Sequence, residues 1–457
     1  MEGVGNLRLT YERGSADRSG TWTFGMEVQM KVLWVCNIML PAIAKRLNMP
    51  CSNREGWLSG LLDRVVMEQE RNRIELGIAF PVEESVGNFD RVMQLGERIS
   101  CHCYGFVEDV AAPEHYDAGL EKHFDLIIHD FKPDILHVFG TEFPHALASI
   151  KVFGQPQRTL VGIQGIVSAI ARVYMADLPV KVQRKSTFRD VIRKDSIRQQ
   201  QKKFEKRGEN EIEAIKLAGH IAGRTDFDRE ETMRINPDAV YHFLNETLRS
   251  VFYRDRWNQY NCQTHRIFLS QGDYPLKGFH YLLQAMPKIL EQFPDAEIYV
   301  AGADIMKAET WKEKLKLPAY GKYLKKLIRD NHLEDKVHML GRISAEEMKV
   351  QYLSCQVFVC PSALENSPNS VGEAMLLGVP CVAANVGGIH NILTDGGDGF
   401  LYPPGDVDAL ADSIAEVFTK EAIVERFSDN ARKHARINHD ADQNYYRLIH
   451  IYQEMME

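Results

Sequence analysis

The sequence predicts an α/β protein of two doubly wound, Rossmann-like domains facing a central cleft. Three observations carry this. The chain has 457 residues, 44% of them hydrophobic, which is too long for one core and apolar enough for two domains of about 200 residues. From Lys31, short β-branched or aromatic runs (KVLWVCN, IELGIAF, KPDILHVFG) alternate with amphipathic stretches (GWLSGLLDRVVMEQ, PHALASIKVFG), the rhythm of a parallel sheet with helices on both faces. After a polar and aromatic interval the rhythm starts again, with RIFLSQG, AEIYVAGAD, KVHMLGR, VFVCPSA, PCVAANVGG and GFLYPPGD separated by helical text such as SAEEMKVQYLS and VDALADSIAEVFTK.

Taken in order, residues 1–29 lack an apolar signal core and lack periodicity, so a disordered or mis-started extension is expected there. A first domain then spans 30–245, broken at 181–207 by a basic segment in which eleven Lys or Arg face three Asp or Glu. The hinge is expected at 245–262 and the second domain at 262–430. A last helix, from about Glu421 to Glu457, is expected to return to the first domain, with 431–457 set apart as the C-terminal helix. Tandem domains of this kind offer one place for chemistry, the cleft where their strand C-termini face each other.

The net charge of −8 and the pI near 6.1 argue against a general affinity for nucleic acid. The eight cysteines form no CxxC pair, and several lie inside apolar runs, which reads as reduced core residues of a cytoplasmic protein. The C-H-C stretch at Cys101 to Cys103 lacks the second ligand pair of a metal site. No apolar run approaches the ~20 residues of a spanning helix.

The densest signal runs from Ser362 to Pro380, between the strand QVFVCP and the strand PCVAA. Glu373 is expected to open a helix, where a carboxylate suits the dipole but would repel a phosphate. Such a group is fitted to accept hydrogen bonds from sugar hydroxyls. Glu365 lies eight positions earlier, and Asn366, Ser367, Pro368, Asn369 and Ser370 bring backbone amides to a helix start that can hold an anion or a hydroxyl-rich ring. Two glutamates at a fixed spacing also occur as simple caps and surface residues.

Residues 362–380, with Val386-Gly387-Gly388 and DGGDGFLYPPGDVDALADSI behind them, resemble the donor domain of a family 4 glycosyltransferase, a retaining enzyme of the GT-B fold found in bacterial polysaccharide biosynthesis. The resemblance covers nearly all of 31–440 and is strongest in the second half. It implies that Glu373 binds the ribose of a nucleotide sugar and Glu365 the transferred sugar, with the amides of 366–369 along sugar and pyrophosphate. Lys277, in YPLKGFH before Gly278, matches the lysine that neutralises the pyrophosphate, and a fixed ammonium there stabilises the departing diphosphate. Arg342 and Ile343 fall where the family's loop touches the base through its backbone. One departure stands out: the arginine usual five residues before the lysine is replaced by Ser270-Gln271-Gly272-Asp273.

In the first domain, Asn53 to Gly60, with Gly56 and Trp57, resembles the family's glycine loop but keeps one glycine of the usual pair; a plain helix-start turn reads the same way. The family histidine that meets the sugar is expected at His145, on a loop or first helical turn facing the cleft, rather than at His137 within a strand. Glu142, Gln164 with Gly165, and Arg224 with Thr225 are further cleft candidates or structural caps.

The basic segment reads as a solvated helix face, as an arm closing over the acceptor, or as an interfacial helix for anionic headgroups. Val182, Phe188, Val191, Ile192 and Ile197 give it apolar content. The resemblance implies retaining transfer of a hexose-type sugar from a UDP- or GDP-linked donor to a hydroxyl of a saccharide or lipid-linked saccharide in cell-surface polysaccharide synthesis. No metal and no cofactor beyond the nucleotide-sugar co-substrate is called for, and the site is cytoplasmic or peripheral on the inner membrane. The rivals are a nucleotide-sugar epimerase or hydrolase of the same architecture and a catalytically silent nucleotide-sugar binder.

Overall fold

A computed structural model describes residues 30–49, 56–72, 74–95, 100–308 and 310–457. The expected extension, 1–29, and Asn53 of the glycine loop lie outside the described residues.

The first sheet contains β1 (Met30–Cys36), β2 (Ile74–Val82), β3 (Phe89–Gln94), β4 (Ser100–Val107), β5 (Ile135–Phe139), β6 (Thr159–Gly162), β7 (His220–Gly223) and β8 (Val240–Phe243). Their order is β3-β4-β2-β1-β5-β6-β7-β8, parallel except for β3. The second sheet holds β9 (Arg266–Leu269), β10 (Glu297–Ala301), β11 (Val337–Gly341), β12 (Val357–Cys360), β13 (Cys381–Ala384) and β14 (Phe400–Tyr402), ordered β11-β10-β9-β12-β13-β14 and parallel throughout. β5, β9, β12 and β13 are buried at every residue, as strands covered on both faces must be. This burial is why they read as unbroken apolar runs in the sequence.

Each sheet reverses its order once. In the first sheet the switch lies between β1 and β5, and in the second between β9 and β12. Loops leaving adjacent strands diverge there and open a crevice at the strand C-termini. Glu142 follows β5, Lys277 follows β9 and Glu365 follows β12, so the topology alone collects them at the two crevices.

The domain limits differ from the expected ones. Trp257 is buried in the second core and its amide donates to the Leu377 carbonyl at 2.7 Å, so 250–262 is second-domain structure rather than hinge. The chain crosses back not within one long helix but at His439, between helices Glu421–Asn438 and Ala441–Met456. Ala431 and Ala435 stay in the second core. Tyr445, Leu448, Ile449 and Tyr452 pack into the first, where the Tyr452 hydroxyl accepts from Trp34 Nε1 at 2.9 Å and meets His137 Nδ1 at 2.6 Å. The basic segment straddles both domains: Tyr174, Leu178 and Ile197, around and within it, lie in the second core. Among the described residues no helix is long and apolar enough to cross a membrane.

Burial lowers several rings at these junctions. His242, His280 and His439 fall to about 4 and His137 to about 3, desolvation being the largest cause in each. Their unfolded value is 6.5, so between pH 6.5 and about 4 the unfolded chain binds more protons. Stability is therefore full above that window and lost as pH falls through it. Melting from neutral pH to the low end of the window should show Tm falling by ~5 °C or more. His280→Gln, which keeps a donor for the Ala176 carbonyl, should make the fall shallower; a flat wild-type profile contradicts this.

Candidate functional site

The second-domain crevice is organised by one ion pair. Lys277 Nζ donates to Glu365 Oε1 at 2.6 Å, and Ser362 Oγ donates to the same oxygen at 2.7 Å. Burial by itself would lower the Lys277 ammonium, but the Glu365 charge with Tyr274 beside it outweighs this and holds it above the usual lysine range. The cation is thus fixed where two strand ends diverge. A diphosphate arriving there carries more negative charge than the single carboxylate and competes for the same ammonium.

Close backbone approach makes this geometry possible. Gly278 sits at φ +68, and a Cβ on it would collide with the Pro361 carbonyl oxygen. Gly387, at φ +52, packs in the same way on the carbonyl of Glu365, and Gly388 on Asn366 and Thr225. These glycines let the Lys277 turn and the Val386-Gly387-Gly388 turn clamp the 361–366 loop from two sides. Gly278→Ala should cost about 2–4 kcal/mol of stability and displace Lys277; an unchanged denaturation midpoint would contradict it.

Glu373 does not open a helix. It lies mid-helix in Asn369–Leu377 and is 5% exposed. Arg249 reaches it with Nε at 2.9 Å and Nη2 at 2.6 Å, both on Oε1, leaving Oε2 to accept from another donor. Burial raises its carboxyl above the ordinary range against the opposing pull of Arg249. Asn369 and Ser370 form the first turn of that helix behind Pro368, and no side chain caps it. Its amides are a seat for an anion.

Asn366 has a role that its sequence position did not suggest. Its side chain is 6% exposed and bridges the two domains. The Thr225 hydroxyl donates to Oδ1 at 2.6 Å, and Nδ2 donates to Asp228 Oδ2 at 3.0 Å and the Gln164 carbonyl at 3.3 Å. Beside this bridge lies a cavity of about 110 Å³ lined by Gln164, Gly165, Tyr274, Lys277, Glu365 and Ser367, among others.

In the first domain His145 does not face the cleft. It stands in the first turn of Pro144–Phe153 but is fully buried, with Nδ1 2.6 Å from Glu108 Oε2 and Nε2 3.0 Å from Asn37 Oδ1. Asn37 Nδ2 donates to Glu142 Oε2 at 3.1 Å, and Glu142 Oε1 accepts from the Gly165 amide at 3.2 Å. His145 and Glu142 therefore belong to one chain of hydrogen bonds, from β4 through the β1–β5 switch point to the loop lining the cavity. Arg224, 7% exposed, pairs with Glu246 at 2.9 Å and donates to the Ile163 carbonyl, and with Gln164 and Glu246 it lines a small cavity at the strand C-termini. Arg342 is exposed and, like Ile343, lies outside the 110 Å³ cavity. Gly56 and Trp57 begin helix Gly56–Asn72; the Trp57 side chain is outside the described residues.

The loop lacking the expected arginine is closed on itself, Gln271 Nε2 donating to Asp273 Oδ1 at 2.9 Å. The C-H-C stretch does not act as a unit, since Cys101 and Cys103 are buried in the core. His102 instead lies with Asp90 and Asp130, ligand atoms within 4.8 Å of one another, away from the strand C-termini. Sequence reasoning missed Arg249, Asn37 and Glu108. Arg249 meets Glu373 across 124 positions, and only the finished chain crossing brings them together.

Residues 255–434 match the family described as glycosyl transferases group 1. An uncharacterized glycosyltransferase of Methanocaldococcus jannaschii is 29% identical over 181 residues, 40% of this chain and 43% of its own. A phosphatidyl-myo-inositol mannosyltransferase of Mycobacterium tuberculosis is 30% identical over 221 residues, 46% of this chain and 53% of its own. The chain thus spans about half the length of these relatives. Among solved structures, sucrose-phosphate synthase from Thermosynechococcus elongatus superposes with a TM-score of 0.66 at 14% identity, over 93% of this chain and 99% of that one. Anabaena HepE in complex with UDP gives 0.61 at 14% identity, over 93% and 100%. The fold is GT-B, and the similarity to the group 1 glycosyl transferases lies in residues 255–434 of the second domain.

Proposed function

We propose that the chain is a retaining glycosyltransferase moving a hexose-type sugar from a UDP- or GDP-sugar to a hydroxyl of a saccharide or lipid-linked saccharide, in the assembly of cell-surface polysaccharide. The observation that carries this is the Lys277–Glu365 pair at the β9–β12 switch point, across a small cavity from Gln164 and Gly165. Mannosyltransferases among the relatives and UDP in HepE support the donor class.

In this reading Lys277 turns from Glu365 to the diphosphate, Glu365 accepts from sugar hydroxyls, and Glu373 Oε2 accepts from the ribose. The bond from the anomeric carbon to the diphosphate oxygen breaks while the acceptor oxygen bonds to the same face of that carbon. The acceptor proton passes to the departing phosphate oxygen, so no protein base is needed. Lys277 and the amides of Asn369 and Ser370 at the helix start stabilise the charge that develops there, without a metal. Both Glu142 oxygens are already held by Asn37 and Gly165, which suits positioning of the loop rather than proton abstraction.

Incubation with radiolabelled UDP- and GDP-sugars plus membrane extract tests this. Label should enter a lipid or polysaccharide fraction with the donor's anomeric configuration. Free or isomerised sugar without acceptor would replace transfer by hydrolysis or epimerisation, and binding without turnover would make the chain a silent binder.

A further inference from the structure

The connection from β6 to β7 is fastened to the second domain by its inner residues. The Ala176 carbonyl accepts from His280 Nε2 at 2.9 Å, Asp177 Oδ2 from the Tyr281 hydroxyl at 2.7 Å, and Asp190 Oδ2 from the Ala319 amide at 3.1 Å. Tyr174, Leu178 and Ile197 fill the second core, and Val182 packs partly against it. What remains outside is sorted by chemistry. In helix Phe188–Arg193, Asp190 is buried while Phe188, Val191 and Ile192 are 62%, 65% and 65% exposed. Their i, i+3, i+4 spacing sets all three on one outward face.

Exposed cations flank that face on both sides in sequence: Lys181, Arg184 and Lys185 before it, Arg193, Lys194 and Arg198 after it. The acids between 178 and 198 are withdrawn, Asp190 by burial and Asp195 by pairing with Arg189 at 2.8 Å. A net charge of −8 over the whole chain makes this local excess of cations a feature of the segment, not of the composition. Aqueous solvent suits the cations but not a contiguous Phe-Val-Ile face; an anionic bilayer interface suits both.

We infer that residues 179–198 form a docking surface for an anionic lipid bilayer. Phe188, Val191 and Ile192 enter the interface, and the six cations meet the headgroups. Because this connection is bonded to His280 and Tyr281, at the start of the helix that follows Lys277, docking fixes the height of Lys277 above the membrane. The inference stands apart from the glycosyl-transfer reading, since binding is measured with neither donor nor acceptor present.

The full chain is sedimented with phosphatidylcholine vesicles, with and without roughly one third phosphatidylglycerol. Partition should be on the order of ten-fold higher on the anionic vesicles and fall with salt. The variants Val191→Asp/Ile192→Asp and, separately, Lys181→Glu/Lys185→Glu/Lys194→Glu should each lower it on the order of ten-fold or more. Tm should stay unchanged, because the replaced side chains are exposed. Equal or no binding to the two vesicle types, or wild-type partition by both variants, overturns the inference. So does a concentration-dependent dimer that Val191→Asp/Ile192→Asp converts to monomer, which would assign the face to a second copy.

Discussion

Lys277→Met should reduce kcat for sugar transfer by about 10²–10³-fold while changing the donor KM much less. The ammonium acts on charge that grows as the bond to the diphosphate breaks, so its contribution is greater in the transition state than in the ground state. It is pre-positioned for this by Glu365 and Ser362 and needs no reorganisation when the charge appears. Glu365→Gln keeps an acceptor for the sugar but removes the charge that anchors the lysine, and should cost less than Lys277→Met. Steady-state kinetics with a saturating acceptor separate the two parameters. Equal losses in KM with kcat untouched would reduce Lys277 to a binding residue.

Glu373→Ala is expected to act chiefly on binding and on stability. Loss of the ribose acceptor should raise the donor KM about 10–100-fold with a smaller effect on kcat. Stability should fall by about 3 kcal/mol, because Arg249 is left without its counter-charge in a mostly buried position. The double variant Arg249→Met/Glu373→Met distinguishes these effects. Replacing both members of a buried pair by apolar groups is often near neutral, so the urea midpoint should recover while KM stays raised. Recovery of both would leave Glu373 only a structural role.

Much of the architecture was legible because parallel strands buried on both faces leave apolar runs, as in VFVC of β12. The positions of Lys277 and Glu365 at strand ends followed from those runs. Where the chain crosses between domains was not legible. Helices 421–438 and 441–456 are both amphipathic, and nothing local in either says which core receives its apolar face. The sequence puts His145 on a loop or a first helical turn facing the cleft; it stands in the first turn of Pro144–Phe153, and its direction is decided by Glu108 and Asn37, 37 and 108 positions away. Asn366 belongs to a motif legible through its backbone amides, whereas its side chain serves the domain contact with Thr225. Glu373 was expected as a helix-start carboxylate; the helix begins four residues earlier, at Asn369, and burial with Arg249 sets its environment instead.

In the proposed function, a nucleoside diphosphate is held between Lys277 and Glu373 in the second-domain crevice. Calorimetric titration of the full chain with UDP and with GDP tests it most directly, since neither sugar nor acceptor is needed. One of the two nucleotides should bind with one-to-one stoichiometry, on the order of ten-fold or more weaker in both Lys277→Met and Glu373→Ala. Binding of neither nucleotide, or binding by both variants as tight as by the wild-type chain, would contradict the claim.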